Sequence, residues 1–139
     1  AYGYLATQDR SCGVAGAEVT PFEWARRCLA ADKESRQAVL KIHKREHMFE
    51  GNLDQPCTLH ICFSIRGNNL NATTVMRSND LVRGLVYDMP YFVRLQERMV
   101  EQLSREYVQL RIGSYSHFAH TAHIYEKDVD TAKSMLGHE

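Results

Sequence analysis

Residues 58–76 read Thr58-Leu59-His60-Ile61-Cys62-Phe63-Ser64-Ile65-Arg66-Gly67-Asn68-Asn69-Leu70-Asn71-Ala72-Thr73-Thr74-Val75-Met76. The first eight are rich in β-branched and aromatic residues, which fit a pleated, half-buried surface, so 58–65 is expected to be a strand. Arg66-Gly67-Asn68-Asn69 has the chemistry of a hairpin turn, and 70–76 is the return strand. Cys62, between Ile61 and Phe63, reads as core filling.

Upstream, residues 44–56 are polar and turn-rich, 36–43 reads as a strand, and 11–19 is small and glycine-containing, hence a loop. Thr20-Pro21-Phe22-Glu23 is a helix start: Thr20 can cap, Pro21 suits the first helical position, and Glu23 completes a capping box. That helix is expected to run to about Ala31. Downstream, Phe92, Val93, Gln96, Met99, Val100 and Leu103 recur at helical spacing, which predicts a long amphipathic helix over 89–105 with Pro90 in its first turn. Residues 107–112 and 117–125 read as two further strands, and 128–136 as a short helix closed by Gly137. Strands and helices are mixed around at least one hairpin, so the class is α+β, or mixed α/β.

The chain has 139 residues, 44% of them hydrophobic and 24% charged, so its length suits one soluble globular domain. Its 17 basic and 17 acidic residues balance, which gives no global field for a nucleic-acid partner. No apolar run approaches a membrane span, and no signal-peptide pattern opens the chain. Cys12, Cys28, Cys57 and Cys62 form no CxxC pair and no zinc-spaced cluster, so reduced thiols in a cytoplasmic protein are expected. The opening Ala1-Tyr2-Gly3-Tyr4, without methionine, suggests a trimmed or partly represented polypeptide.

Single residues carry chemistry only weakly. Cys57 follows Pro56 at a loop-to-strand edge, where a thiolate can form if a cation is near; taken alone it is an ordinary thiol. Arg77-Ser78-Asn79-Asp80 offers a guanidinium fork, a hydroxyl and an acceptor, or else a helix cap beside a solvated arginine. Arg36 is an arginine at a strand start, usually mere surface. His117, His120 and His123 invite a metal reading, but that spacing on a strand turns neighbours to opposite faces, and no metal is expected. His123 and Tyr125 share a face and could bond a sugar hydroxyl, or simply pack.

Taken in order, these segments resemble the thymidylate synthase-like family. The matching pieces are Tyr2-Gly3, Ser35-Arg36, Pro56-Cys57, Arg77-Ser78-Asn79-Asp80-Leu81, Gly84-Leu85-Val86-Tyr87-Asp88 and Ala122-His123-Ile124-Tyr125. The resemblance implies a single domain over 1–139, a mixed sheet with a long helix packed on it, incomplete at both ends relative to the longer family chains. It implies that Cys57 is a nucleophile that adds to C6 of a pyrimidine nucleoside monophosphate, and that C5 then takes a one-carbon unit from 5,10-methylenetetrahydrofolate. By the same resemblance Arg77 and Ser78 hold the 5′-phosphate, and Arg77 favours the Cys57 thiolate. His123 and Tyr125 bond the sugar, and Asp80 and Gly84 lie at the folate. Arg36 reaches the phosphate of a partner subunit, which implies a homodimer.

One departure is informative. Where family members acting on uracil carry asparagine, this chain has Asp88. An amide accepts from uracil N3–H and donates to O4; a carboxylate cannot donate, but it can accept from the exocyclic amine of cytosine. Asp88 therefore directs the reading to folate-dependent C5-hydroxymethylation of a cytidine nucleotide, dCMP favoured and CMP possible. The resemblance for this aspartate is to the deoxycytidylate and cytidylate hydroxymethylases. The alternatives are a uracil-directed thymidylate synthase in which Asp88 only caps a helix near Met89, and a nucleotide-binding or dimerisation remnant without turnover. Thr58, Gln37, Met76 and His120-Thr121 also depart from the family pattern and fit a divergent member.

Overall fold

The computed structural model describes residues 2–9, 12–14 and 17–137. The hairpin forms as read: β4 (Thr58–Arg66) pairs antiparallel with β5 (Asn69–Met76), Ile65 facing Leu70 and Ile61 facing Thr74. A short β3 (Val39–Lys41) adds to the far side of β4, and β7 (Arg111–Ala119) lies parallel to β5, so the sheet is mixed, in the order β3-β4-β5-β7. Alternation sorts the hairpin: Ile61, Phe63, Ile65, Leu70, Ala72 and Met76 are buried on one face. Cys62, expected in the core, lies on the opposite face and is half-buried, because its two apolar neighbours point inward and period two sends it out.

Two helices cover the buried face. α2 (Pro21–Ala31) begins as read, the Glu23 amide donating to Thr20 Oγ1 at 3.1 Å. The second half of the expected capping box is not made. The Glu23 carboxylate instead accepts from Arg26 Nε and Arg27 Nε, each at 2.8 Å. α3 (Leu85–Leu103) starts four residues before the expected 89, which puts Pro90 inside the helix rather than in its first turn. Phe22, Ala25 and Leu29 of α2 meet Phe92, Leu95, Met99 and Leu103 of α3 over the sheet. Burying side chains of this kind gains about 1.5–3 kcal/mol each before conformational entropy is charged against it.

Other expectations shift. Residues 11–19 were expected to loop; Cys12–Val14 (β1) and Ala17–Val19 (β2) form a small antiparallel pair, while 11, 15 and 16 lie outside the described residues. The strand expected over 36–43 contracts to β3, leaving Arg36 in a bend. The strand expected over 107–112 is a turn up to Leu110, whose amide donates to the Tyr107 carbonyl. The one over 117–125 is split between the end of β7 and β8 (Ala122–His123). α1 (Tyr2–Thr7) and α4 (Val129–Met135) close the two ends of the described chain.

Gln96, fully buried on α3, ties the parallel pair together. Its Nε2 donates to the carbonyls of Leu70 (2.8 Å) and Ser114 (3.1 Å), where the β5–β7 register slips between Leu70 and Ala72. A Cβ on Gly113 would lie 3.0 Å from the Leu70 carbonyl oxygen and 2.2 Å from Asn71 Oδ1, so only glycine fits this close approach.

Candidate active site

The end of the hairpin brings Cys57 and Arg77 together. The Arg77 amide donates to the Cys57 carbonyl at 2.8 Å, one step past the β4–β5 ladder. The Arg77 guanidinium donates to the carbonyls of Pro56 (Nε, 3.2 Å) and Gln55 (Nη2, 2.9 Å), and so straps the segment that leads into Cys57. Cys57 is half-buried and its thiol is unpaired.

From Arg77 the chain enters β6 (Asn79–Asp80), which runs parallel to β8 with Asn79 opposite Ala122 and Asp80 opposite His123. This short ladder joins two of the expected groups: Ser78 Oγ and His123 Nδ1 share a hydrogen bond at 3.2 Å. The His123 ring meets the Tyr125 ring edge to face at 5.0 Å, so this expected pair also assembles. Asp80 turns the chain toward α3, one oxygen accepting from the amides of Val82 (2.9 Å) and Arg83 (3.2 Å). Those backbone donors, Val82 first, hold its carboxyl below the usual range. Gly84 is the residue just before α3, and a Cβ there would lie 2.9 Å from the Asp80 carbonyl oxygen.

Asp88 is not a helix cap. The helix starts at Leu85, so Asp88 sits at the end of its first turn, and its Oδ2 accepts from the side-chain amide of Asn79 at 2.8 Å. Burial pushes the Asp88 carboxyl upward; the Asn79 amide and the nearby His117 draw it back, and Asp80 adds to the rise. His117 belongs to the inward face of β7, where its ring lies 6.3 Å from that of Phe92, one turn along α3 from Asp88. Its Nδ1 is 2.8 Å from Tyr115 Oη, and its Nε2 is buried without a partner. Burial lowers the His117 pKa, and Asp88 opposes that.

Arg36 is not brought to this cluster. It lines a cleft with Asp32, Glu34 and Arg66, and Arg66 ends the strand that Thr58 begins. Nine steps at about 3.3 Å put that cleft roughly 30 Å along β4 from Cys57. His120 is exposed, whereas His117 and His123 are half-buried, and no group of three or more His, Cys, Asp or Glu among the described residues could hold a metal. From the sequence Asn79 and Tyr115 were given no role, and His117 was weighed only as a metal ligand. Asn79 figured only as part of the Arg77–Leu81 match, with no role of its own, and Tyr115 and His117 become neighbours of Asp88 only through the β5–β7 register.

Around Asp80 and Gly84 four apolar side chains stay exposed: Leu81, Val86, Tyr87 and Met89. Exposed apolar side chains beside a carboxylate can serve as an apolar shelf for a flat, polar-edged heteroaromatic ring.

Comparison with known proteins gives this arrangement a context. Residues 2–139 match the family model described as Thymidylate synthase. Deoxyuridylate hydroxymethyltransferase of Bacillus phage SP01 is 30% identical over 103 residues, covering 72% of this chain and 26% of that protein. Thermostable thymidylate synthase A from Bacillus subtilis has the same α+β fold, with a TM-score of 0.79 over 100% of this chain and 48% of that one, at 19% identity. The chain thus spans about half or less of the length of these relatives.

Proposed function

Because this chain belongs to the thymidylate synthase family, we propose that it carries the nucleotide half of a folate-dependent pyrimidine C5 hydroxymethylation, with a cytidine nucleotide as substrate, dCMP before CMP. The observation that carries the reading is Asp88, a half-buried carboxylate held by Asn79 and relieved of any capping duty. Such a group accepts and does not donate, which suits a 4-amino base.

In this reading Cys57 adds its thiolate to C6, and the electron pair moves to C5. Asp88 accepts from the 4-amino group and steadies the proton that N3 gains. Ser78 and His123, already bonded to each other, offer polar atoms to the phosphate and sugar, with Tyr125 beside them. Arg77 can turn its fork from the Gln55 and Pro56 carbonyls to the phosphate. Asp80, Gly84 and the apolar shelf would hold 5,10-methylenetetrahydrofolate, which supplies the one-carbon unit. Once C5 has taken the one-carbon unit, loss of the C5 proton and departure of tetrahydrofolate would leave an exocyclic methylene; water would add to it, and expulsion of the Cys57 thiolate from C6 would restore the ring.

A homodimer belongs to this proposal. The outward face of the sheet leaves Ile112 and Phe118 exposed at the β7 edge, as a partner's sheet would require, and Arg36, remote from its own Cys57, would serve the partner's phosphate. A cytoplasmic setting goes with it: the described thiols of Cys28, Cys57 and Cys62 are unpaired, and no helix among the described residues is long and apolar enough to cross a membrane. A uracil-directed enzyme is the second reading, favoured by the name of the phage relative.

The test is mass spectrometry of the native full-length polypeptide after incubation with methylenetetrahydrofolate and either 5-fluoro-dCMP or 5-fluoro-dUMP. An adduct on Cys57 that forms preferentially with 5-fluoro-dCMP is expected. Preference for 5-fluoro-dUMP would transfer the activity to uracil. Nucleotide binding without any adduct would leave a non-catalytic remnant.

A further inference from the structure

Asn79 touches neither substrate nor folate in the reading above, yet its side chain is the group that grips Asp88. It is 3% exposed, and its amide nitrogen donates to the Thr121 carbonyl at 2.9 Å, which latches its backbone to the β8 side of the site. Its side-chain Nδ2 passes over bare backbone: a Cβ at Gly84 would come within 3.3 Å of it. It then meets Asp88 Oδ2 at 2.8 Å. The contact joins a strand-end residue to the first turn of α3 through a gap that only glycine leaves open.

We propose that Asn79 is a specificity-determining positioning residue, whose amide holds Asp88 as an ionised carboxylate with one acceptor oxygen toward the base, and thereby excludes 4-oxo pyrimidines. The inference rests on the reading that Asp88 faces the base. The chemistry is direct. A protonated Asp88 would carry an O–H and could donate to a 4-oxo group, as an amide does. An N–H donor bonds the charged carboxylate about twice as strongly as the neutral acid, so the Asn79 contact opposes that protonation. Burial and Asp80, at the end of β6, favour it; His117 on β7 opposes it; and the Tyr115 phenol on the same strand also senses the Asp88 charge. Without Asn79, His117 alone stands against burial and Asp80.

The test replaces Asn79 by a group of the same shape and opposite effect. In Asn79→Asp two carboxyl oxygens would meet where the amide now donates, and they cannot both ionise. Asn79→Ala removes the donor without adding charge. Two quantities are measured from pH 5.5 to 8.5: the titration of the Asp88 carboxyl by carbon NMR, assigned by its loss in Asp88→Asn, and the ratio of dCMP to dUMP affinities by calorimetry. In Asn79→Asp the titration is expected to move up and the dCMP preference to fall by roughly tenfold or more, most at low pH. Asn79→Ala moves both the same way by less. A merely structural Asn79 would weaken both nucleotides equally with the titration unmoved, and that result overturns the inference. If Asp88→Asn shifts the preference and the Asn79 variants do not, this inference alone fails. If the wild type has no preference and Asp88→Asn changes nothing, the base reading fails and takes this inference with it.

Discussion

Replacing Asp88 by asparagine should invert the base preference. In the wild type Asn79 Nδ2 donates to Asp88 Oδ2, which leaves Oδ1 as the acceptor for the base. A 4-amino group donating to a charged acceptor is worth about 1.5–3 kcal/mol, and a 4-oxo group left against it costs about 1–3 kcal/mol. In Asp88→Asn the Asn79 donor still needs an acceptor, which turns the new amide oxygen toward it and its NH2 toward the base. Both signs then change. Because Asp88 is only half-buried, the low end of each range applies: the wild type favours cytosine by about 2.5 kcal/mol and the variant, through neutral contacts, favours uracil by about 1.5 kcal/mol, a swing of about 4 kcal/mol or roughly a thousandfold in the ratio of affinities. Calorimetric titration of wild type and variant with dCMP and dUMP at pH 7.5 reads that ratio. The melting temperature of the variant should hold or rise, since a neutral amide escapes the burial that pushes the carboxyl upward. A ratio that moves less than about threefold, or equal weakening of both nucleotides, would refute the idea that Asp88 reads the base.

Two predictions concern the frame. Gln96→Leu keeps volume but leaves the Leu70 and Ser114 carbonyls unpaired at the β5–β7 slip, while also removing the buried, unpartnered Oε1. The net loss should be about 2 kcal/mol of unfolding free energy in urea, and a loss within about 0.5 kcal/mol would show that the slip holds itself. Glu23 is lowered from 4.5 to about 2, chiefly by its hydrogen bond to Arg26. A depressed carboxyl stabilises the fold above its unfolded value, so this contribution is present above about pH 4.5 and lost as pH falls toward 2. Solvent screening at a 30% exposed side chain reduces it to about 1 kcal/mol. Glu23→Gln should flatten acid unfolding in that window, and an unchanged profile would contradict the assignment.

What the sequence made legible was local. Thr20-Pro21 starts α2 because cap and fixed φ act within one turn, and the hairpin follows from β-branched runs around its turn. The errors arose where distant contacts decide. Residues 107–110 alternate like a strand, but the Tyr107 phenol donates to the Leu29 carbonyl at 2.7 Å, and the Leu110 amide folds back on Tyr107. β7 was hidden by Gly113, Ser114 and Ser116, whose polarity suits the outward face of a sheet as well as a loop. α3 tolerates Pro90 because the carbonyl that loses its partner belongs to exposed Val86, within reach of water. The motif order picked out Cys57, Arg77, Ser78, Asp80, Asp88 and His123 as candidates, and the fold brings Arg77 to the Cys57 segment and Ser78 to His123. Asn79 and His117 were not legible, since their pairing with Asp88 depends on two parallel registers that no local pattern encodes.

The two-residue ladder between β6 and β8 has a consequence for how the site lives. So short a pairing adds little free energy of its own, yet it is the fastener that sets Ser78 against His123 across 45 positions of chain. The β6–β8 contact is therefore a loosely sprung joint, expected to open at far smaller cost than the hairpin beside it. A ligand touching both edges would act as the missing stitch, and occupancy, more than the fold itself, would decide how long the joint stays shut.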